Sequence, residues 1–226
     1  MKRALMMATV QSVIDIGVAS CMLLSMQVCQ GAAAIGKPAP VERHQLAAEA
    51  IGFDGTLVAA YRIGDAGGEH VLVLSRKAGH SPAQPRSGRI ERIDLYATYH
   101  KRIGTKRWQQ EWSIRDLTDC PGLDAGADFF VTSVGFSDLN KDGKAEVIVP
   151  YRLFCGGGVD PYIIKVILRD GPTKLAIRGE SLVRYPGQEA FGGEHQHDKA
   201  LLAPERAAYK QHLDALWKKV SVDIRN

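Results

Sequence analysis

Apolar and polar residues alternate through most of the chain and shift to a helical spacing only near its end. Ile93, Leu95, Ala97 and Tyr99 alternate with Asp94, Tyr96 and Thr98. Trp108, Gln110, Trp112 and Ile114 continue at the same spacing, the period of half-buried strands. Thr56 to Arg62 and His70 to Ser75 read the same way on either side of Gly64-Asp-Ala-Gly-Gly68, a turn sequence. Phe129 to Phe136 and Val147 to Phe154 are strand-like as well. Pro150 cannot donate to a ladder, which places the second of these at an edge or a bulge. Tyr162 to Arg169, the Asp170-Gly171 turn and Thr173 to Arg178 form a hairpin pattern. Val41 to Ala50 suits a short helix, and Arg76 to Arg89, with two prolines and two glycines, reads as a surface loop. In the tail, Tyr209, Leu213, Leu216, Trp217 and Val220 recur at helical spacing opposite Lys210, Gln211, Asp214 and Lys218. Pro204 suits the first turn of that helix, expected over 204–222. The expected fold is mainly β: an antiparallel meander of about seven or eight strands, with the C-terminal helix packed against it.

The first residues break this pattern. Lys2 and Arg3 precede an apolar run, Ile16 to Met26, and Ala32-Ala-Ala34 offers small residues for cleavage. Residues 1–34 are read as an export signal and residues 35–226 as a single β-rich domain, periplasmic or secreted, with no stable membrane span once the signal is removed. An uncut anchor and a lipoprotein box at Val18-Ala19-Ser20-Cys21 are the alternatives. Losing the signal discards Cys21 and Cys29 and leaves Cys120 and Cys155. In an oxidising compartment such a pair suggests one bridge; two buried thiols is the other reading. At 226 residues, 45% apolar and 24% charged, the chain is ordinary for a globular protein, and its net charge of +4 carries no signature of nucleic-acid binding. It has no zinc-type histidine–cysteine spacing, no Walker loop, no dinucleotide fingerprint and no Gly-x-Ser-x-Gly.

Three stretches carry candidate chemistry. In Asp138-Leu-Asn140-Lys-Asp142-Gly143-Lys144-Ala-Glu146, three short oxygen-bearing side chains alternate before a glycine able to make a sharp turn. With the Lys144 carbonyl and the Glu146 carboxylate they compose a hard-oxygen shell of the kind calcium prefers. A metal-free polar turn accounts for the same residues. An EF-hand is excluded, because its twelfth position is Val149. Lys101, Arg102, Lys106 and Arg107 form a basic hairpin tip that could take an anionic ligand, or be solvated charge guarding a sheet edge. Glu194-His195-Gln-His197-Asp198 clusters imidazoles and carboxylates. His195 and His197 at alternate positions could share a strand face and bind a transition metal, or lie in an exposed loop after Gly192-Gly193.

The acidic stretch, flanked by strand-like segments, resembles the strand–loop–strand calcium loops of integrin-type (FG-GAP) repeats, where an acidic residue falls at the ninth position as Glu146 does. It occurs once, so a full propeller is not expected. The order of that loop, Tyr151, Cys155-Gly-Gly-Gly-Val159-Asp160-Pro161, Ala176-Ile177-Arg178-Gly179 and a Trp-bearing terminal helix resembles a family of exported bacterial proteins labelled surface polysaccharide biosynthesis-like. The resemblance covers Cys120 to the end. It implies envelope association and carries over no catalytic residue. Two functions follow as expectations. One is a non-enzymatic envelope protein with a structural calcium loop, whose partner is an anionic surface glycan or another envelope component. The other is a metal-dependent hydrolase using His195 and His197.

Overall fold

The computed structural model describes residues 35–86 and 88–226. The export signal, its cleavage site, Cys21 and Cys29 lie outside these residues. The expected alternation builds a first sheet, A, as an antiparallel meander. Its strands are β1 (Ala39–Pro40), β2 (Thr56–Asp65), β3 (Gly68–Gly79), β4 (Arg92–Gly104) and β5 (Arg107–Asp119), paired in that order. Arg76 to Gly79, read from sequence as loop, extends β3 because β4 is long enough to pair with it. One face of sheet A presents Ile63, Leu72, Leu74, Leu95, Tyr99 and Trp112 to the main core. The other buries Ala60, Val71 and Val73 under Val41, Ile51 and Leu46 of the short helix α1 (Arg43–Ala48).

Trp108 and Trp112 do not share a face, contrary to the continuous alternation read from the sequence. Tyr99 pairs with Trp112 but His100 pairs with Gln110, so Glu111 is an extra residue in a β-bulge. A bulge resets the two-residue period. Trp108 therefore packs in the outer cluster and Trp112 in the inner one.

Sheet B follows with β6 (Asp124–Phe129), β7 (Gly135–Ser137), β8 (Glu146–Gly156), β9 (Ile163–Asp170) and β10 (Thr173–Glu180). The single strand expected over Phe129 to Phe136 is split by a 3-10 turn at Val131–Ser133. β6 and β7 each pair with part of β8. Pro150 lies opposite the break between them. Its carbonyl accepts from Phe130 N (3.0 Å), so its ring nitrogen, on the same strand edge, faces the gap. The expected irregularity is real, but it sits in the neighbouring strand; β8 itself is interior and pairs with β9 on its other side. A small third sheet joins β11 (Leu182–Arg184), β12 (Phe191–Gly192) and β14 (Val222–Ile224), with β11 and β14 parallel. β13 (His195–His197) completes sheet B beside β10.

The two sheets pack face to face through the inner residues of sheet A and Val147, Val149, Tyr151, Leu153, Ile167 and Ala176 of sheet B. The opposite face of sheet B carries Ile148, Ile164, Val166, Leu168, Leu175 and Ile177. Helix α2 (Ala207–Val220) covers it with Tyr209, Leu213, Trp217 and Val220. The fold is thus mainly β with one C-terminal packing helix, as the periodicity predicts. Two stacked sheets replace the single meander, because strands with two apolar faces need a layer on each. No described helix is long and apolar enough to cross a membrane.

Cys120, just past β5, is disulfide-bonded to Cys155 of β8 with their Cα atoms 5.4 Å apart. The bond staples the last strand of sheet A to sheet B. Closing a loop of 35 residues, it stabilises by about 3–4 kcal/mol in the chain-entropy picture. A Cys120→Ser/Cys155→Ser variant should lose about that much in urea unfolding followed by tryptophan fluorescence. Reduction of the wild type under native conditions should lower its midpoint similarly.

Candidate functional site

The acidic stretch forms the loop between β7 and β8, where Ser137 and Glu146 close the ladder. Its short side chains fold it by bonding back to nearby amides, as Asp and Asn do in turns. Gly143 N donates to Asp138 Oδ2 (3.1 Å), Asp142 N to Asn140 Oδ1 (2.9 Å) and Lys144 N to Asp142 Oδ1 (2.8 Å). Gly143 has φ 79°, the left-handed conformation its sequence position calls for, and Lys141 also sits at φ 61°.

Glu146, expected to close a metal shell as a ligand, is 1% exposed. Its carboxylate accepts from Ser137 Oγ, Leu139 N and Asn140 N at 3.0, 2.8 and 3.3 Å, and Tyr209 OH, 3.3 Å away, shares its one hydrogen with the nearer Asp170 Oδ2 (3.0 Å). These bonds make Glu146 an internal anchor of the loop. Asp138 differs: its Oδ1 is buried and has no hydrogen-bond partner. Among the described residues no group of three or more His, Cys, Asp or Glu is gathered as around a metal ion.

The loop is also the tie between the ends of the two sheets. Ala66 N, in the β2–β3 turn, donates to the Gly143 carbonyl (2.8 Å), and Ala145 N donates to Asp65 Oδ2 (2.9 Å). Beside this junction opens a cavity of 240 Å³. Sheet A contributes His70, Tyr99, Lys101, Glu111 and Trp112 to it; Asp142 and Lys144 reach it from the acidic loop, and Asp170 from the end of β9. The bulge in β5 places Glu111 here, with its carboxylate 3.5 Å from His70 Nε2. Asp65 Oδ1 lies 3.5 Å from His70 Nδ1, yet that nitrogen has no hydrogen bond.

His70 stacks on Tyr99 (centroids 5.0 Å) and Tyr99 on Trp112 (4.9 Å). The Arg169 guanidinium stands 5.3 Å from the Trp112 ring centroid. Burial, then the Asp65 and Glu111 carboxylates, push the Tyr99 hydroxyl well above the usual phenol range. His70, Tyr99 and Glu111 carried no sequence motif. The only local signal was one histidine and one tyrosine on the inner parity of their strands.

The other expected groups are placed differently. Lys101 and Arg102 point to opposite faces of β4, as strand geometry requires. Lys101 lines the cavity, whereas Arg102 binds Glu69 and Glu49 and lies 4.4 Å over the Trp108 ring. Glu49 is thereby joined to Arg62, Arg102 and Trp108. Burial works to raise its carboxyl pKa, but these partners win and hold it low. Lys106 and Arg107 remain exposed at the hairpin tip. The four cations do not form one cluster.

His195 and His197 do share a face of β13, but helix α2 engages each of them. His195 stacks on Trp217 (centroids 4.9 Å), and His197 Nε2 lies 2.6 Å from Asp214 Oδ1. On the other face of β13, Arg178 pairs with Asp198 and Lys165 with Asp116 beside a cavity of 530 Å³. That cavity is larger; Lys165, Arg178 and Asp198 are paired there, while Glu180 and Glu194 line it without an ion-pair partner among the described residues. The fold and the junction define a disulfide-stapled β-sandwich with a polar cavity where its sheets meet. No protein-family model, curated protein or solved structure matches the chain.

Two measurements check these placements. Glu146→Gln exchanges an acceptor for a donor facing the loop amides, and should cost about 1–3 kcal/mol in metal-free denaturant unfolding. At Asp214, burial raises the carboxyl pKa, but bonds from His197 and Lys210 outweigh it and hold it below the usual range. That contribution to stability is present above the ordinary carboxylate pKa of about 4 and is lost as pH falls through the lower folded value. The stability gap between wild type and Asp214→Asn should therefore be largest above about pH 5 and shrink towards pH 2.

Proposed function

We propose that this chain is an exported, non-enzymatic cell-envelope protein that handles surface glycans, and that its acidic loop takes a calcium ion as a clamp between its two sheets. The observation that carries the calcium reading is Asp138 Oδ1, a buried carboxylate oxygen without a partner in a loop whose other short side chains are bonded. Buried polar atoms left unmatched are costly, and a hard cation is the partner such an oxygen suits. Asp138, Asn140, Asp142 and the Lys144 carbonyl would supply the oxygens. Glu146, bonded to the loop amides, would keep the loop in shape rather than ligate first. When bound, the ion offsets the repulsion between Asp138 and Asp142.

The disulfide supports an extracytoplasmic setting, since such bridges persist where thiols are oxidised. The glycan part rests on the motif order from Cys120 onward and on the mixed polar lining of the cavity at the junction. The engagement of His195 and His197 by helix α2 favours this reading over the hydrolase.

Calcium binding the native state alone raises stability by mass action. Millimolar calcium should raise the melting temperature above that in EDTA, with an affinity on the order of 10⁻⁴–10⁻³ M, as for extracellular modules. Asp138→Ala should fold and lose the calcium response. An unchanged wild-type melting temperature up to about 10 mM calcium, some tenfold above that affinity range, would leave the loop a polar turn.

A further inference from the structure

Two buried polar groups on the wall of the cavity beside the acidic loop make no hydrogen bond. His70 has a 5% exposed side chain, and its Nδ1 makes no hydrogen bond although Asp65 Oδ1 lies 3.5 Å away. Tyr99 is 4% exposed and its hydroxyl is likewise unpartnered. Each omission costs stability, and both fall on one small space, which points to a ligand that completes them.

The charged groups around that space narrow the chemistry. Lys101 and Lys144 line it without a carboxylate partner among the described residues. Glu111 faces it from the bulge, with only the His70 imidazole 3.5 Å away, and Asp142 and Asp170 add further carboxylates. A carboxylate or phosphate ligand would suit the lysines and be repelled by Glu111, Asp142 and Asp170. An ammonium ligand would reverse the conflict. A hydroxyl satisfies both sets, because it donates one hydrogen and accepts at two lone pairs.

Size and shape narrow it again. The 240 Å³ space lies below the range of about 300–1,000 Å³ that holds drug-sized ligands, so it suits one small ring. Trp112 has Tyr99 stacked on it and Arg169 beside it, so the ring would be held by hydrogen bonds rather than stacked on the indole. Asp65, fixed by Gly67 N (2.7 Å) and Ala145 N (2.9 Å), holds its carboxylate beside His70. β-bulges commonly re-aim side chains next to functional sites, and here the bulge delivers Glu111.

We propose that this cavity binds a single uncharged sugar ring, with Tyr99, His70, Glu111 and Lys101 bonding its hydroxyls. The inference deepens the glycan part of the proposed function and is independent of the calcium part.

The test is titration calorimetry and saturation-transfer NMR on the mature protein, with and without calcium. The probes are the methyl glycosides of glucose, galactose and mannose, with D-glucuronate and D-glucosamine as charged counterparts. At least one neutral glycoside should bind saturably at one site, with the charged sugars at least tenfold weaker. Tyr99→Phe keeps the ring stack and removes only the hydroxyl; it and Glu111→Gln should each weaken binding by about five- to tenfold, the loss of one hydrogen bond. Circular dichroism and melting temperature establish that both variants fold.

No saturable binding by any neutral glycoside overturns the proposal. So does equal or tighter binding of a charged sugar, or unchanged affinity in both folded variants. A calcium-induced rise in melting temperature without sugar binding defeats this inference alone. Sugar binding without any calcium response defeats the calcium reading alone.

Discussion

The strands of sheet B have to be covered twice. Val147, Val149, Tyr151 and Leu153 on one side of β8, and Ile148, Ile164, Val166 and Leu168 on the other side of the sheet, are all buried. Each such side chain gains about 1.5–3 kcal/mol from leaving water, so neither face can be left open. Sheet A takes one face and α2 the other. Sheet A's own far face then needs α1 and the Val41 and Ile51 contacts. The layered architecture follows from that one requirement, and the disulfide holds the two sheets together at the β5–β8 side.

Where the apolar cover ends, the sheets are joined by polar contacts. The loop between β7 and β8 reaches the β2–β3 turn through the Gly143 carbonyl and Asp65, and Glu146 and Tyr209 continue the connection to α2. Three layers thus converge at one loop. The neighbouring cavity keeps unpartnered groups on a rigid frame: His70 and Tyr99 come from interior strands and cannot easily turn away to find water. Their burial is therefore a property of the site and not of a pliable surface.

Much of the architecture was readable because periodicity reports burial directly. The β2–β3 and β9–β10 hairpins, the long β4 and β5, and the stripe Tyr209, Leu213, Trp217, Val220 all follow from it. The Gly143 turn followed from its sequence position. The split of Phe129 to Phe136 was hidden, because β-branched Val131 and Thr132 of the 3-10 turn suit a strand as well and apolar residues flank them on both sides. The bulge at Glu111 was hidden too, since one extra residue leaves a local alternation intact on each side while inverting their relation. The basic tip looked like a patch only in one dimension; successive residues of a strand face opposite ways.

Local order is what the amino-acid sequence determined here by itself: which segments are strands or helix, which turns are tight, and which short side chains fold the acidic loop. These depend on neighbours a few residues apart, and the chain carries those neighbours with it. The tertiary structure alone decided the partners. Glu146 became an anchor because Tyr209 and the loop amides meet it. His195 and His197 met a helix rather than a third ligand. His70, Tyr99 and Glu111 became neighbours because three strands and one bulge bring them to the same end of a sheet. Such encounters depend on register and packing across tens of residues, and no spacing along the chain encodes them.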